Sequence, residues 1–226
     1  TTTAPVLDSK TWDHFGVMTI GPGSARLNLT NNAIVNNKPG ASIVISSTNV
    51  NPIAHAGGGS AHQLNNAGLI RRTSATTQTL LNTGTYTQSA GATLDVDTGT
   101  LNLAVPGTYA GTLNVDAGAT LNLLSVTHAF DGGLSLTGAG SLVLASGTLS
   151  LGGPFTFGAS NPLFSMTGGT LTSASAFTNN QAFNWSGGTI TGAGLLTTNG
   201  AVSITTTAPV LDSKTWDHFG VMTIGP

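Results

Sequence analysis

The sequence predicts an all-β fold, a right-handed parallel β-helix (β-solenoid) with about ten circuits per 204-residue unit, and three observations carry the prediction. The first is alternation. Apolar residues recur at every second position in short runs: Leu94 and Val96, Leu113 and Val115, Leu121 and Leu123, Leu134 and Leu136, Leu142 and Leu144, Leu149 and Leu151. Period-two spacing sends such side chains to one face of a strand and the intervening Thr, Asn, Ser and Asp to the other. The second is composition. Only 6% of the 226 residues are charged, against about 25% in ordinary domains, Glu is absent, and there are 31 glycines. Gly, Thr, Ser and Asn all carry a helix cost, and no segment keeps a 3.6-residue period. The third is repetition. Thr1 to Pro22 reappears without substitution as Thr205 to Pro226, which sets a period of 204 residues. Packing alone does not enforce such identity, because cores tolerate hydrophobic swaps of similar volume.

The remaining composition narrows the function classes. A net charge of −2 and the lack of any Lys or Arg between Thr73 and Ser213 give no electrostatic reason to expect nucleic acid or an anionic membrane surface. Cysteine is absent, so no disulfide staples the fold. There is no 18-residue apolar run to insert into a membrane, and an export signal is expected to lie outside this stretch.

In chain order, Thr1 to Ala25 reads as one circuit with a bend, alternating around Val6, Trp12, Phe15, Val17 and Ile20, with Asp13 and His14 in a turn before Gly16. Arg26 to Ser46 gives two strand-like runs, separated by Asn31, Asn32, Asn36 and Asn37 and the Pro39-Gly40 turn signal. Asn49 to His62, with Pro52 and three glycines from Gly57, reads as a loop or wide corner.

From Gln63 a shorter repeat emerges. Leu64 to Gly68 matches Leu80 to Gly84 at a spacing of 16, and Gly91 to Val96 matches Gly118 to Leu123 at 27. Phe164 to Thr172 matches Phe183 to Thr191 at 19, aligning Phe164 with Phe183, Met166 with Trp185, and Gly168-Gly169 with Gly187-Gly188. One repeat per solenoid circuit is expected, with Gly68, Gly84 and the later glycine pairs at corners. Asn66 and Asn82 are expected to stack as an amide ladder. The whole of 1–226 reads as one continuous solenoid whose identical ends are equivalent circuits. Three origins fit: an excerpt of tandem units, a chain closed on itself, or a continuous fibre running past one unit.

The stretches TLNVDAGATLNLLSVTHAFDGGLSLTGAGSLVLASGTLSLGG and FNWSGGTITGAGLLTTNG resemble the repeats of large bacterial β-solenoid surface proteins, similar in style to autotransporter passengers and filamentous haemagglutinin-type adhesins. The resemblance implies export, a parallel β-helix and an extracellular or cell-surface role. It carries no shared catalytic motif.

In the repeat alignment Asp95 stacks on Asn122, Asp97 matches Leu124 and Asp116 matches Ser89, so no two carboxylates meet as a polysaccharide-cleaving site requires. Asp95 with Asp97, or Asp131 beside Gly132-Gly133, offers oxygen ligands to Ca²⁺, but the GGxGxD pattern is absent. His14, His55, His62, His128 and His218 read as turn residues, and Arg71-Arg72 as a solvated corner or lateral salt bridge. Trp12, Trp185, Phe15 and Phe183 are expected to be buried, which disfavours a carbohydrate platform. The expectation is therefore a non-enzymatic protein without metal or cofactor, forming a stiff extracellular fibre through contacts with its own kind. An adhesin stalk touching glycans or cells is the alternative, and a β-helix polysaccharide enzyme the remote one.

Overall fold

A computed structural model describes residues 4–206 and 208–225. Thr1 to Thr3, Thr207 and Pro226, the outermost parts of the repeated segment among them, lie outside the described residues. The described chain is all β, and every ladder is parallel. Three strands make one turn. β1 (Val6–Asp8), β2 (Thr11–His14) and β3 (Val17–Ile20) form the first turn, β4 (Leu27–Thr30), β5 (Ile34–Asn37) and β6 (Ser42–Ile45) the second. The third holds β7 (Ile53–His55), β8 (Gln63–Asn66) and β9 (Leu69–Arg72), the fourth β10 (Thr77–Thr79), β11 (Thr85–Gln88) and β12 (Thr93–Val96). Then come β13 (Thr100–Leu103), β14 (Gly107–Tyr109) and β15 (Thr112–Val115), followed by β16 (Thr120–Leu123), β17 (Thr127–Phe130) and β18 (Ser135–Thr137). The seventh turn is β19 (Ser141–Leu144), β20 (Thr148–Leu151) and β21 (Phe155–Phe157). β22 (Leu163–Ser173) bends across a corner and covers two faces before β23 (Phe177–Asn179), as β24 (Phe183–Thr191) does before β25 (Leu196–Thr198). β26 (Val202–Ile204), β27 (Pro209–Asp212), β28 (Trp216–His218) and β29 (Met222–Ile224) finish the chain. This is a β-solenoid of about ten turns.

Each turn lays one strand on each of three faces. The first face stacks β1, β4 and β7, passes through an Ile53–Leu81 bridge to β10, and continues through β13, β16, β19 and the first halves of β22 and β24 to β26 and β29. The second runs from β2 through β20 and the second halves of β22 and β24 to β27. The third holds β3 to β18, then β21, β23, β25 and β28. Between β18 and β21 the ladder lapses, and the Asn161 side chain donates to the Leu136 carbonyl instead (2.6 Å).

All twelve alternating apolar residues named above point inward and are buried. The Phe164 repeat is a true turn: Met166 pairs with Trp185, and the Phe164 and Phe183 rings stack at 5.7 Å. Gly169 and Gly188 lie over one another at the β22 and β24 corner with φ of 72° and 89°, and a Cβ on Gly188 would run into the Gly169 carbonyl. Gly168 and Gly187 occupy the same corner.

The shorter spacings need correction. Asn66 stacks on Asn37 and Gln88 rather than on Asn82, while Asn82 sits exposed at a corner and accepts from the His55 amide. Leu94 stacks on Leu113, and Leu121 on Leu101. The spacings of 16 and 27 join different faces, because strands on all three faces share the same apolar-polar grammar. Observed turns advance by 19 to 29 residues, as from Phe177 to Leu196 and from Asn37 to Asn66.

The first 62 residues are also more regular than expected. Asn36 and Asn37 belong to strand β5, and β7 lies within the stretch read as a loop. Asp13 and His14 end strand β2, with His14 turned inward and buried. The inward residues of the first turn are Leu7, Trp12, His14, Met18 and Ile20. Val6, Phe15 and Val17 point outward. His128 is fully buried in β17 beside the Tyr109 hydroxyl (3.1 Å), and Arg72 is fully buried rather than solvated. Arg72 donates to Gln78 and to the Thr98 carbonyl, and desolvation pushes its pKa down to about 10.

Part of the core is aromatic. Phe157, Phe164, Phe177, Phe183 and Trp185 form a connected inner column, with centroid separations from 4.6 to 6.0 Å. Phe177 is wholly buried between Phe157 and Phe164. Phe177→Ala is expected to cost about 3–5 kcal/mol, read as a lowered midpoint in denaturant. A loss below about 1 kcal/mol would mean that the column is not a stability centre.

Candidate functional site

Two places gather chemistry: an acidic cluster on the outer wall, and the two copies of the repeated turn.

The cluster forms on the third face because the register brings β9, β12 and β15 together. Asp95 lies between Arg71 and Asn114, and Asp116 follows Val115 directly above Asp97. Contrary to the sequence alignment, Asp95 stacks on Asn114 rather than Asn122, and the carboxylates of Asp95, Asp97 and Asp116 converge within 4.8 Å. The Arg71 guanidinium stands beside them. Arg71 bonds Asp97 through Nη2 (2.8 Å) and Nε (2.9 Å), and its Nε lies 3.7 Å from Asp95. The lateral salt bridge expected of Arg71 is present. Asn114 donates to both Asp95 and Asp116 at 2.8 Å.

The carboxylate separation approaches that of a retaining glycosidase, but the oxygens are engaged by a guanidinium and an amide. Of the six carboxylate oxygens, both of Asp97 are bonded by Arg71 and one each of Asp95 and Asp116 by Asn114, where Ca²⁺ would take six to eight oxygen ligands. Burial, with the neighbouring Asp97 and Asp116 charges, raises the Asp95 carboxyl above the usual range despite the Asn114 bond. The folded state therefore holds this proton more tightly than the unfolded chain. The ionised group costs stability in full above its folded pKa, and the cost disappears as pH falls through it.

The histidines and aromatics do not converge on a ligand site. His55 Nδ1 lies 2.8 Å from His62 Nε2, His62 is buried, and desolvation with the His55 charge lowers its pKa. Asp131 stands apart, at the corner after β17. Phe183 and Trp185 are buried, whereas Phe15 is 73% exposed, against expectation.

The repeated turn is the second place, and its two copies use opposite sides of the same strands. β1, β2 and β3 pair toward β4, β5 and β6. Their copies β27, β28 and β29 pair toward β24, β25 and β26. Among the described residues, each copy leaves open the edge that the other fills.

Side chains divide in the same way. At the corner between the second and third faces, a polar side chain ending each of the first four second-face strands reaches the first carbonyl of a third-face strand one turn further on. Asn37 bonds Leu69 O (2.9 Å), Asn66 bonds Thr93 O (3.0 Å), Gln88 bonds Thr112 O (2.8 Å), and His14 Nε2 lies 3.1 Å from Ser42 O. His218, the copy of His14, meets the Thr198 hydroxyl through Nδ1 (2.8 Å), but its Nε2 is buried without a partner. Asp8 accepts from Asn31 through Oδ1, and its copy Asp212 accepts from Thr191 through Oδ2. Trp216 Nε1 donates to Thr198, and its ring packs against Trp185 at 6.0 Å. The equivalent Trp12 instead lines an open concavity of about 800 Å³ with Pro5, Met18 and Ile20. Ile20 is 5% exposed and its copy Ile224 is 71% exposed.

The sequence identified this turn by its identity, but His218 and the concavity around Trp12 carried no sequence signal. Asp95→Asn is expected to raise the unfolding midpoint at pH 7, with the gap to the parent chain closing as pH falls. A lower midpoint would mean that Asp95 is held as a useful carboxylate. The chain matches none of the family models, curated proteins or solved structures with which it was compared.

Proposed function

We propose that this chain is a structural element of a long, stiff fibre, outside the cell or on its surface, assembled by seamless end-to-end stacking of identical solenoid units. The observation that carries the reading is the complementarity of the two copies. A single turn of this sequence, placed between β24 to β26 of one unit and β4 to β6 of the next, would use both strand edges at once. Its histidine would accept from Thr198 at Nδ1 and donate to Ser42 O from Nε2, which is one neutral tautomer. The Trp12 concavity would receive the preceding unit's Trp185 and Thr198.

Open solenoid ends otherwise need capping, and here the cap is the next unit. The low charge of the chain leaves little repulsion between stacked units. The acidic cluster supports the same reading, since its oxygens are tied to Arg71 and Asn114 in a lateral network.

Ile224→Asp tests the proposal at the open end. Ile224 is exposed in the single chain, so the substitution is expected to change single-chain stability by no more than about 0.5 kcal/mol. In a joined fibre it would bury an unpaired carboxylate. The parent chain should form elongating particles in sedimentation and electron microscopy, and the variant should not. Equal elongation by both, or a parent that stays single at high concentration, would sink the reading.

A further inference from the structure

The second copy of the repeated turn lies on a different face from the first. From β1, nine turns along the first face lead to β26. The copy of β1 is the following strand, β27, on the second face against the latter half of β24. The copy of β2 extends the third face beyond β25, and the copy of β3 extends the first face beyond β26. All three strands have advanced by one face in the same sense.

We propose, resting on the fibre reading above, that the partner received by each open end is a second copy of the 204-residue unit turned one third of a revolution about the axis. The unit is nine and a third turns, not a whole number. The edge left by β26 accepts the Met-Thr-Ile strand of the next unit, and the edge left by β24 accepts its Val-Leu-Asp strand. A unit returning to the same face would set Val-Leu-Asp on β26 instead. It would also separate the histidine from the Thr198 hydroxyl and the tryptophan from Trp185, contacts that the second copy makes only from its advanced position.

The consequence is a longer true period. Three units of nine and a third turns make 28, after which each face carries the same sequence again. At a strand spacing of about 4.8 Å, one unit rises about 45 Å and three rise about 135 Å. Separate chains that each keep both copies of the terminal turn would add one turn per joint, about 50 Å per chain, with the same advance of one face. Outward groups then point in three directions along the fibre. Phe15 and its copy Phe219 are 73% and 72% exposed and stand on adjacent corners, so the fibre offers an apolar outward ring on every side rather than along one ridge.

The test is cryo-electron microscopy of fibres grown from the full chain, at a resolution that separates strands along the axis. The expected map shows ladders unbroken through each joint, the Val-Leu-Asp strand continuing the second face, and a rotation of one third turn per unit on top of the slow sheet twist. A single cysteine at outward Thr87, in a chain that has none, gives an independent reading: gold labels should appear on three sides in succession. Unbroken ladders with labels on one side would overturn the face advance and leave the fibre reading standing. Interrupted density or discrete capped particles would overturn both.

Discussion

The parallel backbone ladder governs the rest of this molecule. Once a strand pairs with the turn below at about 4.8 Å, its inward side chains have no choice of neighbours. Each must sit on the residue in register one turn away and tolerate that contact for the full length of the axis. Leucine columns accept this easily, as Leu101, Leu121 and Leu142 do. At one corner, polar residues accept it because a column of carbonyls lies within reach. That is why His14, Asn37, Asn66 and Gln88 end their strands at one corner and bond the next turn of the third face. Glycine corners serve the same ladder, since stacked backbones at Gly169 and Gly188 leave no room for a Cβ.

A ladder that reaches one turn ahead has a defined direction and an unfinished end. The four corner bonds from the second to the third face run the same way, and His218, the copy of His14 carried on the third face, has its Nε2 buried without a partner. A buried polar atom left unpaired costs roughly 1–3 kcal/mol, and in the proposed fibre pairing it would be one driving force for extension. Covering Ile224 and the Trp12 concavity adds apolar burial to the same step. In the proposed fibre, stacking would draw on the same interactions that hold each internal turn, without a separate interface.

The sequence was legible where a physical signal belonged to one strand alone. Period-two alternation identified the inward leucines and the all-β class, since burial of one face is decided within four residues. It failed where the answer depended on which strands stack. Asp95 faced Asn114 rather than Asn122, and Asn66 met Asn37 rather than Asn82, because faces that share a pattern of Thr-Leu-Asn-Leu type cannot be told apart by self-similarity. The Phe164 repeat was read correctly because Phe183, Trp185 and the glycine pair form a combination found on no other face. Buried Arg72 and His128 were missed for a related reason. A charged or polar residue changes the reading of its strand to outward, while the register inherited from Ile45 and Gly107 holds it inside.

The same logic accounts for the unequal fidelity of the repeats. Met166 and Trp185 occupy equivalent positions yet differ, because each answers to its own pair of neighbours within one unit. The repeated turn is under another constraint. The side chains of its first copy satisfy Asn31, Asn36 and Ser42, while those of its second satisfy Thr191, Thr198 and Trp185. Asp8 and Asp212 show the two demands resting on different oxygens of one side chain, and His14 and His218 on different nitrogens of one ring. A substitution that suited one neighbour would fail the other. At the proposed joint one turn would serve both neighbours, so the residues that touch them would answer to two sets of contacts at once.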